Sequence, residues 1–260
     1  MNAILKYPGA KWRIADWIIS QFPKHKVYCE PFFGSGGVFF NKAPSAIETI
    51  NDIDGNVVNL FKVCRERPAE LASVLSLTPW ARDEFKNCYD MSDGDELERA
   101  RRTVVRFHQS YGTSNSSLSS WRNVQTASGP KVTSQWRDLP EIVFNVCERL
   151  KDAQIENIDA FTLIERYNNY ETLLYVDPPY LQSIRKRNIY KYELKDNRHI
   201  ELLELLKASK SMICLSAYDN PLYNDMLEGW YSVEKQTQVQ GGRMRTEKLY
   251  MNYAPCLLNF

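Results

Sequence analysis

Short apolar runs and helical stripes alternate along this chain, and each apolar run ends in residues that cannot continue it. Val27-Tyr28-Cys29 gives way to Glu30-Pro31-Phe32-Phe33-Gly34-Ser35-Gly36-Gly37, and Thr172-Leu173-Leu174-Tyr175-Val176 gives way to Asp177-Pro178-Pro179-Tyr180. Brief runs of this kind, bounded by Gly or Pro, predict buried strands. Further strands are predicted over Ala46 to Ile50, Gln154 to Ile158, Met212 to Ser216 and Lys248 to Tyr253. Between them lie stripes of helical period: Ile14, Trp17, Ile18 and Phe22 within Lys11 to Phe22; Val57, Leu60, Phe61 and Cys64 in a helix from Asn56; Leu139, Ile142, Val143, Val146 and Leu150. Phe161 to Tyr167 and His199 to Ala208 complete the set. Strand, glycine loop, helix, strand, acid is the opening of a nucleotide-binding α/β sheet, whose ligands sit at the carboxyl ends of the strands.

From about Arg65 to Arg137 the rhythm breaks. An acidic patch (Asp90, Asp93, Asp95, Glu96, Glu98) passes into Arg101, Arg102 and Arg106, then into the Ser/Asn/Gly-rich stretch Ser110 to Ser120 before Trp121-Arg122. This predicts a helical insertion carrying a polar loop or hairpin. The expected division is therefore 1–64 with 138–260 as one domain and 65–137 inserted into it.

Composition narrows the classes. The 260 residues carry 33 Lys plus Arg against 32 Asp plus Glu, so any polyanion site must come from local clustering. The six cysteines are scattered without a Cys-x-x-Cys pair, and there are only three histidines, which argues against a zinc site or a disulfide framework and predicts no metal. No apolar run approaches membrane-spanning length, and the expectation is a cytoplasmic protein that does not enter a membrane.

Asp177-Pro178-Pro179-Tyr180 carries the strongest chemical signal. Two prolines can neither extend a ladder nor enter a helix interior, so the motif is a rigid loop at a strand end, offering a carboxylate, bare carbonyls and an aromatic face. That set suits a planar base with an amino group: carboxylate and carbonyl accept its hydrogens while the ring stacks on it. Asp52, at the end of the next strand after the glycine loop, is placed to accept the hydroxyls of a ribose; helix capping is the alternative, for which Asp54 is better suited. The glycine loop alone fits a ligand turn or a plain tight turn. Tyr7-Pro8-Gly9-Ala10-Lys11 reads either as a surface turn or as a cover over a cofactor, with Lys11 pairing with a carboxylate. Arg106 and Arg122 in the insertion, and Arg185 and Arg187 beyond the aspartate motif, are candidates for phosphate contact, against a reading as solvated surface charges.

In this order, the Tyr7–Lys11, Glu30–Gly36, Asn51–Asp54 and Asp177–Tyr180 motifs resemble the Dam-like, alpha-group DNA adenine methyltransferases of bacteria and phages. The resemblance implies a Rossmann-like class I methyltransferase fold, a mixed seven-stranded sheet with helices on both faces. It also implies an inserted, mostly helical target-recognition domain at 65–137. The implied cofactor is S-adenosyl-L-methionine, with Tyr7, Lys11, Phe32, Gly34, Ser35, Gly36, Asp52 and Asp177 as its contacts and Asp159 and Phe161 flanking its adenine. Asp177, Pro178, Pro179 and Tyr180 become the catalytic motif. The implied partner is duplex DNA, from which an adenine is flipped and methylated directly on its amine, in the manner of restriction-modification enzymes, by a monomer or weak dimer. Methylation of the cytosine amine, a non-catalytic DNA-binding relative and a nicotinamide-dependent oxidoreductase are the competing readings.

Overall fold

The computed structural model of this chain describes residues 2–112, 119–123, 132–184, 189–238 and 244–255. Its strands are β1 (Val27–Glu30), β2 (Ile47–Asn51), β3 (Ser110–Tyr111), β4 (Ser120–Trp121), β5 (Ala153–Glu156), β6 (Thr172–Val176), β7 (Met212–Tyr218), β8 (Tyr231–Gln238) and β9 (Met244–Met251). The helices are α1 (Ala15–Ile19), α2 (Gly55–Glu66), α3 (Pro68–Leu77), α4 (Arg82–Asn87), α5 (Glu96–Gln109), α6 (Val132–Arg137), α7 (Leu139–Leu150), α8 (Ala160–Arg166), α9 (Asp196–Ala208) and α10 (Pro221–Met226).

Seven strands form one sheet in the order β5-β2-β1-β6-β7-β9-β8. The first five are parallel, and β9 runs antiparallel to both β7 and β8. Successive connections leave β1 toward β2 on one side and continue from β6 to β7 on the other. The crevice where ligands gather in such sheets therefore lies above the ends of β1 and β6.

The period of two along each strand divides the side chains between two cores. Tyr28, Leu173, Tyr175, Cys214, Leu249 and Met251 join the helices α2, α3, α5 and α7 in one hydrophobic cluster. Cys29, Leu174, Val176, Ile213, Leu215, Ala217 and Tyr250 join α8, α9 and α10 in the other. The expected sheet with helices on both faces is thus present. Extending the same parity by one step places Glu30, Asp177, Ser216 and Glu247 on the first face, on the adjacent strands β1, β6, β7 and β9 or just beyond their ends.

Several boundaries differ from the sequence expectation. The predicted helix Lys11 to Phe22 is regular only over α1, because three-residue turns close both ends, Ile14 N–H to Lys11 O at 3.0 Å and Phe22 N–H to Ile19 O at 3.0 Å before Pro23. β5 stops at Glu156 and not Ile158, because Asn51 captures the next residues: its Oδ1 accepts from Ile158 N–H at 2.9 Å and its Nδ2 donates to Ile158 O at 3.1 Å. β9 starts at Met244, earlier than Lys248, and pairs with β8, a strand that the apolar pattern does not reveal. Within 65–137, Leu71, Leu75, Val104, Val105, Phe107 and Trp136 belong to the same cluster as the sheet's own residues. Its helices share one core with α2 and α7. The β3–β4 pair forms a separate two-stranded sheet.

Candidate active site

Four segments meet at the crevice. The loop Tyr7–Lys11, the turn after β1, the end of β2 and the loop after β6 line a cavity of about 350 Å³, whose other walls are Asp159, Ala160 and Phe161 at the start of α8 and residues of 190–198. Asn51 stitches this rim together, since its Nδ2 also donates to Pro31 O at 2.9 Å.

The turn after β1 is built by two glycines with positive φ, Gly34 at +52° and Gly36 at +67°. A Cβ on Gly34 would come within 3.0 Å of the Tyr7 ring, so the turn can pass under that ring only as glycine. Gly34 N–H donates to Asp52 Oδ2 at 2.8 Å, tying the turn to the end of β2. Gly36, expected to touch the cofactor, is absent from the cavity wall, while Gly37 is on it. A Cβ on Gly36 would stand 2.4 Å from the Phe33 ring and 2.6 Å from the Phe40 ring. Its role is to let the aromatic cluster close behind the turn. Gly36→Ala is accordingly expected to destabilise the fold by about 2 kcal/mol or more, from left-handed strain plus overpacking, read as a lower denaturant midpoint with an unchanged slope.

Asp52 is 8% exposed and faces the cavity. Burial pushes its carboxyl up to about 6, against the pull of the Asp54 and Gly34 N–H groups. Asp54 is the cap of α2, accepting from Asn56 N–H at 3.1 Å, as the sequence suggested. Asp159 caps α8 through Phe161 N–H at 3.0 Å and remains exposed at the cavity rim; the Arg198 guanidinium covers Phe161 at 3.8 Å. Ser35 is buried, and its hydroxyl accepts from the Trp12 indole at 3.1 Å. Phe32 lines the wall and packs on the second core.

At the end of β6, Lys11 Nζ lies 2.8 Å from both Asp177 oxygens and 2.9 Å from Gly9 O. Burial alone would lower the Lys11 ammonium, but the Asp177 and Glu247 carboxylates overcome it and hold the pKa above its ordinary value. Burial raises the Asp177 carboxyl to about 6, Lys11 opposing and Glu247 adding to the rise. Glu30, at the end of β1, is pushed up to about 8 by burial while accepting the Tyr28 hydroxyl at 2.8 Å. At neutral pH the Lys11 ammonium therefore stands against the Asp177 carboxylate, with Glu30 largely protonated.

Two expectations change here. Tyr180 is 5% exposed, its hydroxyl bonded to Glu247 and its ring packed on Tyr218 at 4.4 Å with Lys11 Nζ at 4.8 Å, so it supports Lys11 and presents little open face for stacking. Pro179 lines the cavity, and the side chains of Pro178 and Tyr180 are buried. Glu247 and the cavity-lining Tyr175 are residues to which the sequence reading gave no role in the site. The Tyr175 hydroxyl is buried and has no hydrogen-bond partner among the described residues.

Of the basic candidates, Arg106 is half-buried, its guanidinium over the Tyr89 ring at 5.0 Å, which makes it part of the packing of α5. Arg101 and Arg102 are engaged by Glu84, Glu98 and Asp93. Arg122, after β4, is half-buried close to Lys6, whose pKa burial and this guanidinium together lower to about 8. Arg185 and Arg187 lie outside the described residues. Among the described residues no group of His, Cys, Asp and Glu is placed to hold a metal ion, the cysteines are free and buried, and no helix is long and apolar enough to cross a membrane.

Residues 7–240 match the family model described as D12 class N6 adenine-specific DNA methyltransferase. Type II methyltransferase M.MjaIII of Methanocaldococcus jannaschii is 24% identical over 97% of this chain and 99% of its own length. The DNA adenine methylase of Escherichia coli K12 is 24% identical over 98% of this chain and 96% of its own. Among solved structures, a putative methyltransferase, yhhF from Escherichia coli, aligns over 96% of this chain and 92% of its own at 13% identity and a TM-score of 0.40.

Proposed function

Because this chain belongs to the D12 class of N6 adenine-specific DNA methyltransferases, enzymes that methylate the amine of adenine in DNA, we propose that its cleft binds S-adenosylmethionine and that Asp177 orients the target amine. The family model is specific to adenine and displaces the cytosine alternative. The observation that carries the site assignment is the Lys11–Asp177 pair at 2.8 Å, set at the switch point of the sheet beside a cavity walled by Gly34, Asp52 and Phe161.

The donor set fits the cofactor. Asp52 spends one lone pair of each oxygen on Gly34 and Asp54 N–H groups, both at 2.8 Å, and keeps others for two ribose hydroxyls. The unpartnered Tyr175 hydroxyl offers a further polar contact, and Phe161 a flat wall for a purine. When bound, the cofactor supplies an electrophilic methyl group carried on a sulfonium.

The chain's own residues have to make a poor nucleophile reactive. The lone pair of an adenine amine is delocalised into the ring. Hydrogen bonds from that amine to Asp177 and to the Pro178 carbonyl draw the nitrogen toward a tetrahedral geometry, and the surplus proton leaves along the bond to Asp177. Positioning and fixed charge account for most of such a rate gain. Asp177 keeps only 18% of its side-chain surface open, so an amine stacked inside a duplex cannot reach it and the base has to be extruded. We assign target reading to 65–137, and within it to the part around β3–β4, since the helices are spent on the shared core. Arg122 beside Lys6, together with Arg185 and Arg187, supplies phosphate contacts.

Asp52→Ala is expected to weaken S-adenosylmethionine binding by on the order of 2 kcal/mol, about 30-fold, while leaving turnover at saturating cofactor nearly intact. Calorimetric titration decides it, and an unchanged affinity would remove Asp52 from the ribose. The function as a whole is tested by incubating the protein with methyl-labelled cofactor and mixed-sequence duplex. Label recovered as N6-methyladenine is the expected result, and label elsewhere or nowhere refutes it.

A further inference from the structure

Glu247 is 3% exposed, in the middle of β9, where it pairs with Tyr218 of β7. Its Oε1 accepts both the Tyr180 hydroxyl and the Ser216 hydroxyl and stands 3.7 Å from Lys11 Nζ. Lys11 in turn holds both oxygens of Asp177. The carboxylate thus reaches both Lys11 and Tyr180, the side chains that bear on Asp177 by hydrogen bonding, although it is distant from the Asp177 motif in sequence.

Stability gives no reason for an acid at this place. A buried carboxylate set beside another carries desolvation and like-charge penalties, and an amide side chain of the same length could accept the two hydroxyls without a charge. What the acid does provide is an anchor on a paired strand, to which a flexible lysine and the ring of a loop tyrosine are both tied. We infer that Glu247 is a positioning residue for methyl transfer, holding Lys11 and Tyr180 so that Asp177 presents its oxygens to the target amine. The inference rests on the assignment of Asp177 made above.

Charge gives the inference a signature that mere packing lacks. The titratable groups coupled electrostatically to Asp177 are Lys11 from the amino-terminal loop, Glu30 from β1, Tyr175 and Tyr180 on either side of its own position, Cys214 and Tyr218 from β7, Tyr223 from α10 and Glu247 from β9. Of these, Lys11 and Glu247 are the two whose charges bear on the Asp177 carboxyl, in opposite directions. Removing the charge of Glu247 therefore lowers the pH at which Asp177 ionises; loosening that admits water would relieve the burial of Asp177 and move it the same way, so the variant that keeps the charge, Glu247→Asp, tells the two apart.

The test measures kcat and KM of the full-length wild type, Glu247→Gln and Glu247→Asp across about pH 5 to 9, with cofactor affinity by calorimetry. For Glu247→Gln the expected result is a fall in kcat of about 10²-fold with KM and cofactor affinity held, and an acidic limb displaced to lower pH. Glu247→Asp keeps the charge but withdraws it by one methylene, so its kcat falls less and its acidic limb stays with the wild type. Wild-type kcat in Glu247→Gln, or a reduced kcat with an unmoved acidic limb, overturns the inference. If the glutamine variant does not fold, the aspartate variant decides: unchanged kcat rejects the role, and reduced kcat at unchanged KM upholds it. A wild type that binds cofactor and leaves adenine unmethylated would instead strike at the reading of Asp177 itself.

Discussion

Asp177→Ala is expected to lower methyl transfer to adenine by about 10³-fold or more while the variant still folds and binds cofactor. The residue follows β6 and retains 18% side-chain exposure, so its removal empties no core position, and Lys11 keeps Glu247 at 3.7 Å as a partner. On the proposed mechanism, what is lost is the charged acceptor that draws the amine toward a reactive geometry. The wild-type pH profile should carry the same information. With the Asp177 carboxyl at about 6, turnover should rise as pH passes through that value, because only the ionised form accepts the amine's hydrogen. Stability runs the other way: a carboxyl raised from 3.8 to about 6 on folding holds its proton more tightly in the folded chain, and its contribution is lost as pH rises through that interval. Label incorporation per active site, set against a denaturation curve of the same preparation, separates the two effects. Near-normal turnover in a cooperatively folded Asp177→Ala protein would end this assignment.

Lys11→Met should be comparably damaging, by a different route. The ammonium is 7% exposed on its side chain and is the charge that offsets Asp177 and Glu247 together. Without it two carboxylates face each other across a buried gap, and the proton affinity of Asp177 climbs further. Turnover at neutral pH should fall by about 10³-fold, with part of it returning as the pH is raised and Asp177 ionises. Breaking a buried pair on one side costs about 3 kcal/mol, and here that cost should shrink on acidification, since protonated carboxyls no longer repel. Denaturant midpoints at two pH values, one below and one above about 6, would show the difference growing with pH. A variant equally stable at both would mean that the ammonium does not compensate these acids.

Much of this site was legible because its chemistry is concentrated in strand ends. The apolar runs of β1 and β6 and the residues that stop them fixed where the crevice would be, and of the two acids after β2 Asp52 faces the cavity while Asp54 caps α2. The part Glu247 plays was illegible for a physical reason: it comes from pairing with β7 across the sheet, and the local sequence does not say which side chains that pairing brings against the acid. β8 escaped because an edge strand buries little and Tyr231 to Gln238 carries no apolar run. The overlong first helix reflects a periodicity that is real, yet Lys11 is turned into the cleft, and that turn ends the regular helix short of it.

The shared parity of Glu30, Asp177, Ser216 and Glu247 has a consequence for how such a site can fail. Backbone pairing is the ruler that sets their spacing, about 4.8 Å per strand step, so the set is exact only while every strand keeps its register. A slip of one residue in β9 would turn Glu247 away and bring Thr246 or Lys248 to face Lys11, replacing an attraction with an uncharged hydroxyl or a repulsion. The long β8–β9 pairing, eight residues against eight, is then more than an edge finish: it pins the phase of the one strand whose slippage would extinguish the centre without disturbing a single residue of the recognisable motifs.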